Sequence, residues 1–384
     1  MTDEHLLNGV RVLEIGEVVA APYAGRLLRD LGARVLKVET VEGDPLRCRP
    51  PYVASDRAPT TGALFTYLNS GKESVALEPR TGMTDDALGF LVGQADVLVI
   101  GDSRREIDRW SLDLCGYRRH YPRLVVVRID TVGESSELGG VELCDLHACA
   151  LAGVSWVIGT MDREPLSLPF LLADYEAGVH AASAAVAALL GVRRGLPGQD
   201  VEIAVADVLA WYTGTNAMVY EPYGLPWARA GRRASGSGGP YPYGIFRCRD
   251  GYVCLIARSR EDWERLVDGL GRPEWAASPR YQDQLAMGRD YPDELDALLA
   301  PILESLSRDE LWELSQRYGF PMAPVATMRE VLEDPHRIGR SNFAMSASVP
   351  AVPFPAAPFR VARRSVTANE QTTLARSRRA SDRA

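Results

Sequence analysis

Four short, mainly apolar runs mark the first half of the chain. Each stops at a glycine or an acidic residue: 10–15 before Gly16, 34–38 before Glu39, 95–100 before Gly101 and 124–129 before Asp130. Runs of this kind, without polar alternation, predict strands covered on both faces. Between the first two, Pro22 suits the opening turn of a helix over 23–31, and Gly32 ends it. A strand, helix and strand with joints this short make a right-handed parallel crossover. Residues 201–205 are a further strand candidate, so the first half predicts an open α/β sheet.

The pattern changes over 221–244, where proline, glycine and arginine replace periodic apolar positions. This predicts a linker with a functional loop. Residues 246–248 and 252–256 flank Arg249-Asp250-Gly251 as a hairpin, and helical periodicity returns at 261–270, 291–306 and 308–318. The expected organisation is a large α/β domain over 1–220, the linker and glycine-rich loop over 221–244, and a small α+β domain over 245–321. A segment over 322–363 returns to the large domain, and the polar tail over 364–384 is disordered.

With 384 residues and 46% hydrophobic composition, the chain can fill two cores. A net charge of −8 excludes an extended nucleic-acid surface, so an anionic ligand must be met by a few placed basic residues. The N-terminus lacks a secretory pattern, and the longest apolar stretch, 179–192, is broken by His180 and Ser183 and is too short to span a bilayer. No membrane partner is expected. The six cysteines form no CxxC pair and read as reduced, cytoplasmic thiols. The five histidines are scattered without metal-ligand spacing, so no metal site is expected.

Glu39, at the end of a crossover strand, invites a dinucleotide reading, but the loop Gly16-Glu17-Val18-Val19-Ala20-Ala21 has one glycine where pyrophosphate needs two or three. Asp174 precedes a helix rich in small residues. It is either an N-cap or a carboxylate that the helix dipole keeps ionised for attack on an acyl carbonyl. Gly236-Ser237-Gly238-Gly239 is either a flexible joint or a flap that excludes water. Lys37, Lys72, Arg104, Arg105 and Arg109 follow or end strands, where open α/β sheets bind ligands. Tyr23, Tyr52, Trp110, Trp156 and Tyr175 are candidates for an aromatic-lined pocket.

Taken in order, several segments resemble the class III CoA-transferase (CaiB/BaiF) family. This group contains formyl-CoA and crotonobetainyl-CoA transferases and the α-methylacyl-CoA racemases. The segments are LNGVRVLE from Leu7, Ala21-Pro22, LGARVLKVE from Leu31, YLNSGKESV from Tyr67, ADVLV from Ala95, Cys144-Asp145-Leu146, Ala173-Asp174-Tyr175, PYGIF from Pro242, DGYV from Asp250, Gly319-Phe320-Pro321 and Pro324-Val325. The resemblance implies two interlocked, ring-like subunits, each with a Rossmann-like large domain and a small domain. A homodimer is expected, with a heteromer with a paralogue as the alternative. Acyl-CoA and a small carboxylic acid are the implied partners; the CoA thioester is a substrate, and no separate cofactor is expected.

Residue by residue, the resemblance puts Asp174 on the catalytic aspartate and Arg109 on an arginine that contacts the CoA phosphates. Lys72 falls on a lysine near the nucleotide end, and Val18, Val19 and Ala20 fall on the loop lining the CoA site. Asp145 matches an acidic active-site residue, and Gly236, Ser237, Gly238 and Gly239 match the flap. Thr40 stands where some members carry a CoA-binding arginine, Val19 where they carry glutamine, and Gly101-Asp102 where Asn-Phe is common. The implied chemistry runs through an aspartyl mixed anhydride and an aspartyl-CoA thioester, with backbone N–H groups around Asp174 holding the oxyanions. Racemases of the family carry a histidine where this chain has Cys144, and His147 reads as a packed polar residue. Transferase is therefore preferred to racemase, with a catalytically silent subunit as a third reading.

Overall fold

The computed structural model describes residues 5–55, 58–134, 136–138, 141–224, 229–233, 239–345, 353–357 and 359. Six strands form the main sheet: β1 (Arg11–Ile15), β2 (Arg34–Thr40), β3 (Glu73–Leu77), β4 (Val97–Gly101), β5 (Val125–Asp130) and β6 (Asp200–Ala204). All neighbours are parallel, in the order β3-β2-β1-β4-β5-β6. Alternation within the apolar runs builds a core on each face. Val12, Val97, Val99, Val125 and Val127 point to one side, while Leu13, Ile15, Leu98, Ile100 and Val126 point to the other. The pattern had not announced β3, a half-exposed edge strand with a single strongly β-forming residue, Val75.

Five helices position the site: α1 (Ala20–Asp30), α2 (Ser103–Trp110), α3 (Asp145–Leu151), α4 (Leu172–Arg193) and α5 (Val205–Tyr223). The first starts before Pro22, which sits in its opening turn, where a missing N–H costs nothing. Although α4 is long and apolar enough by composition to cross a membrane, it is a core helix here. Ala173, Ala177, Ala181 and Ala185 recur every fourth residue and join the core with Ala21, Ala24 and Leu28 of α1. At Gly178 a Cβ would stand 2.8 Å from the Ala20 carbonyl and 3.1 Å from Tyr23, so this glycine sets how closely α4 meets the start of α1.

A second core lies around an antiparallel sheet of β7 (Tyr243–Cys248), β8 (Gly251–Ile256) and β9 (Met322–Pro324). Trp263, Leu295, Leu299 and Leu311, from the helices Arg260–Gly269, Pro292–Ser305 and Arg308–Tyr318, fill it. Residues 322–324, expected to begin the returning segment, instead complete this small sheet. The return to the large sheet comes later, at Pro353–Pro355. There Phe354 stacks on Tyr67 at 6.3 Å, and Arg26 donates to the Pro355 carbonyl at 3.1 Å.

Candidate active site

Strand order reverses between β1 and β4, and in open α/β sheets a crevice forms beyond the carboxyl ends at such a point. Two glycines allow the chain to close tightly there. A Cβ on Gly16 would stand 2.9 Å from the Gly101 nitrogen, and one on Gly101 would stand 2.8 Å from Ala21 Cβ. The loop then passes through Val18 at φ 63°, a conformation that a β-branched residue resists. Beyond it lies a cavity of about 90 Å³, walled by residues 17–21, Gly101, Asp102, Asp130, Thr131, Cys144, Asp174 and Val205. A larger cavity of about 620 Å³ adjoins it, sharing Asp102, Asp130 and Thr131.

Asp174 is the third residue of α4, not its cap. Leu171 holds the cap position, left-handed at φ 56°, and no side chain caps the helix. The capping reading is therefore overturned. So is the expectation that the dipole keeps the carboxylate ionised. Burial, then the charges of Asp145 and Asp102, raise the Asp174 carboxyl from 3.8 to about 7. A helix terminus contributes only about 0.3–1 kcal/mol, less than one pKa unit, and is outweighed.

Asp145 opens α3 and accepts the Asp174 N–H at 3.3 Å. Burial raises its own carboxyl above the usual range, against the N–H groups of Asp174 and Ala173. Those N–H groups are thus turned to Asp145 and not into the cavity, contrary to the expected oxyanion donors. Ala20 and Ala21, in the first turn of α1, line the cavity, and the cap residue Val19 supplies no side-chain bond to that turn. Val18, Val19 and Ala20 line the cavity.

Cys144 caps α3 and also faces the cavity. Its Sγ lies 3.2 Å from His147 Nδ1, which accepts the Cys144 N–H at 3.1 Å. His147 is exposed and paired with the thiol, so it is not the packed polar residue expected.

The basic residues divide into two groups. Arg105 and Arg109 both pair with Glu17, a residue of the cavity wall, at 2.9 and 2.8 Å. Arg109 also lines a narrow crevice with Thr40, beyond the ends of β1 and β2. Lys37 and Lys72 are buried instead. Lys37 meets Glu14 at 3.2 Å and Asp44 at 3.1 Å, and it donates to the Gly16 carbonyl. Lys72 meets Glu14 at 2.7 Å, the Pro22 carbonyl at 2.7 Å and Asn69 at 2.9 Å. Lys72 therefore presents no ammonium to a ligand in this structure; it braces the first turn of α1. Burial pushes it down to about 8, against the pull of Glu14. Gly25 makes room for this cluster, since a Cβ there would collide with the Glu14 carboxylate. Glu39, the residue a ribose would need, is held by Arg47 through two bonds of 2.7 Å.

Neither cavity is lined by the aromatic candidates. Tyr23 and Tyr175 pack edge to face at 4.8 Å, and Trp110 is buried with its N–H on Glu106 at 2.9 Å. Gly236, Ser237 and Gly238 lie outside the described residues, and Gly239, the next in sequence, is exposed. The residues that motif reading missed are Glu17, Asp102, Asp130 and Thr131. Each follows or ends a strand at the point of reversed order, so the strand order was the signal that would have found them.

Residues 7–372 match the family model described as CoA-transferase family III. The succinyl-CoA:mesaconate CoA-transferase of Haloarcula hispanica is 30% identical over 346 residues, covering 86% of this chain and 83% of that protein. The alpha subunit of succinyl-CoA–L-malate CoA-transferase from Chloroflexus aurantiacus is 28% identical over 345 residues, covering 88% of this chain and 78% of that protein. Among solved structures, a CaiB/BaiF family protein from Brucella suis superimposes with a TM-score of 0.84 at 27% identity, covering 94% of this chain and 93% of that one.

Proposed function

Because the chain belongs to CoA-transferase family III, we propose that it moves CoA from an acyl-CoA donor to a free carboxylic acid, with the Asp174 carboxylate as nucleophile. One observation carries this reading: Asp174 lines the switch-point cavity together with the start of α1 and with Glu17, the carboxylate that pairs with Arg105 and Arg109. Asp174 attacks the donor carbonyl, giving an aspartyl mixed anhydride and CoA thiolate. The thiolate attacks the aspartyl carbonyl, releasing the donor acid and leaving an aspartyl-CoA thioester. The acceptor carboxylate then attacks that thioester, expelling CoA thiolate and forming a second mixed anhydride; the thiolate attacks the acceptor carbonyl of this anhydride, releasing the new acyl-CoA and restoring the Asp174 carboxylate. Thioester is exchanged for thioester, so the sequence needs no net energy input.

The first-turn amides of α1 receive the oxyanions, each donor contributing about 3 kcal/mol. Arg109 takes a CoA phosphate, and the 620 Å³ cavity receives the acyl body. Succinyl-CoA is the first donor to try, because relatives are named for it.

A second reading, α-proton exchange as in an acyl-CoA racemase, has one observation in its favour: Cys144, in contact with His147, lines the cavity with Asp174. The two reactions leave different traces. A transferase passes ¹⁸O from the acceptor acid into Asp174, and hydroxylamine traps the aspartyl-CoA thioester there as a hydroxamate only when acyl-CoA is present. An exchange enzyme washes deuterium from heavy water into the α-position of a 2-methylacyl-CoA. Labelled Asp174 with no α-deuterium is the expected result; α-deuteration with no adduct would replace the transferase reading.

The assembly is read as an interlocked homodimer. Phe170, 89% exposed immediately before α4, and Trp211, 82% exposed on α5, form apolar surface that a second copy covers. Light scattering is expected to give twice the chain mass. A monomer at micromolar concentration would exclude the homodimer, and activity appearing only with a paralogue would favour the heteromer named for the alpha-subunit relative.

A further inference from the structure

We propose that Glu17 is a built-in counter-ion that occupies the Arg105–Arg109 pair until a polyphosphate ligand displaces it, so that it neutralises the empty site and moderates the grip of these arginines on the CoA phosphates. The ligand's identity rests on the CoA-transferase reading; the ionic arrangement stands without it.

Arg105 and Arg109 are four residues apart and share one face of α2. From behind, Glu106 takes Arg105 at 3.1 Å and Arg109 at 3.3 Å, and it is itself fixed by Trp110 at 2.9 Å. Its side chain is 2% exposed, so this half of the clamp is permanent. From the front, Glu17 takes the same two guanidiniums, at 2.9 and 2.8 Å. Glu17 rides on a loop, and the next residue, Val18, is held at φ 63°.

Position gives the contact its consequence. Glu17 borders both the Asp174 cavity and the crevice containing Thr40 and Arg109. A thioester whose carbonyl reaches Asp174 while its phosphates reach Arg109 must take these arginines from Glu17. Partly exposed ion pairs are weak, so a ligand bringing several phosphates, each able to make paired bonds to guanidinium, wins the exchange. A thioester without phosphates gains nothing from it.

The test is calorimetric titration of the full chain with CoA and with pantetheine, which lacks the nucleotide and its phosphates. Glu17→Gln keeps the shape and removes the charge. It is expected to tighten CoA about threefold to tenfold and to leave pantetheine unchanged. Adding Arg109→Ala is expected to abolish the gain. CoA affinity unchanged or weakened in Glu17→Gln, equal tightening of both ligands, or no CoA binding by either protein would each overturn the proposal. A transfer assay run in parallel separates the two readings. Tighter CoA binding without transfer by the unaltered protein discards the transferase reading and leaves the role of Glu17 standing.

Discussion

Asp174→Asn is expected to abolish CoA transfer and, at the same time, to raise thermal stability above pH 7. Asparagine matches aspartate in shape but cannot form the anhydride, so the loss of rate is at least about 10⁴-fold, the scale of removing a catalytic nucleophile. The gain in stability follows from the raised carboxyl. A shift from 3.8 to about 7 means that the folded chain binds this proton more tightly than the unfolded chain. The contribution of Asp174 to stability is therefore greatest below about pH 4, falls as pH rises toward 7, and levels off above it.

The full shift corresponds to roughly 4 kcal/mol. Relaxation and water entry leave roughly 1–2 kcal/mol for Asn to recover. Melting temperatures at pH 5 and pH 8 check this: the difference between variant and parent should grow with pH. For the parent, kcat/KM should rise with pH with an apparent pKa of about 7, because only the ionised carboxylate attacks. Asp102→Asn should move that pKa down, since the Asp102 charge helps to raise it. An active Asn variant would remove Asp174 as nucleophile, and a flat profile from pH 5 to 9 would remove the raised carboxyl value.

The second large effect is on folding. Glu14→Gln is expected to cost about 3–5 kcal/mol, the usual penalty for breaking a buried pair from one side. The Glu14 side chain is 0% exposed and serves two lysines. Its loss leaves Lys37 with Asp44 and Lys72 with no carboxylate. Adding Lys72→Met should recover much of the loss, because an apolar chain needs no partner. Chemical denaturation of the three proteins measures both steps; a penalty under about 1 kcal/mol for Glu14→Gln would mean that water already reaches the cluster. The loop would feel the change too, because Lys37 holds the Gly16 carbonyl and Lys72 the Pro22 carbonyl.

The β1-α1-β2 unit was legible because its signals are local: an apolar run, a proline, a glycine and a second run. The hairpin around Arg249-Asp250-Gly251 was legible for the same reason, although the register pairs Cys248 with Gly251 and so shortens the turn to two residues. Edge strand β3 was not, since a strand with one half-covered face needs few apolar residues. In the site, the position of Asp174 could be read from the sequence, but its electrostatics could not. Asp102 and Asp145 meet it only because strand order and α3 bring them there. Lys72 illustrates the same limit. A lysine near a strand end looks like a phosphate ligand until Gly25 and Glu14, distant in sequence, show that it turns inward.

The contact between Arg26 and the Pro355 carbonyl joins residues 329 positions apart. Phe354, stacked on Tyr67, closes the same circuit. During synthesis, therefore, the first helix leaves the ribosome long before the segment that fastens it. The sheet emerging first must wait, with the surface around Tyr67 uncovered, while the second core is made and folds. The stretch Pro353–Pro355 thus acts as a buckle: ribosomes must add 329 residues beyond Arg26 before the first-made part can be locked.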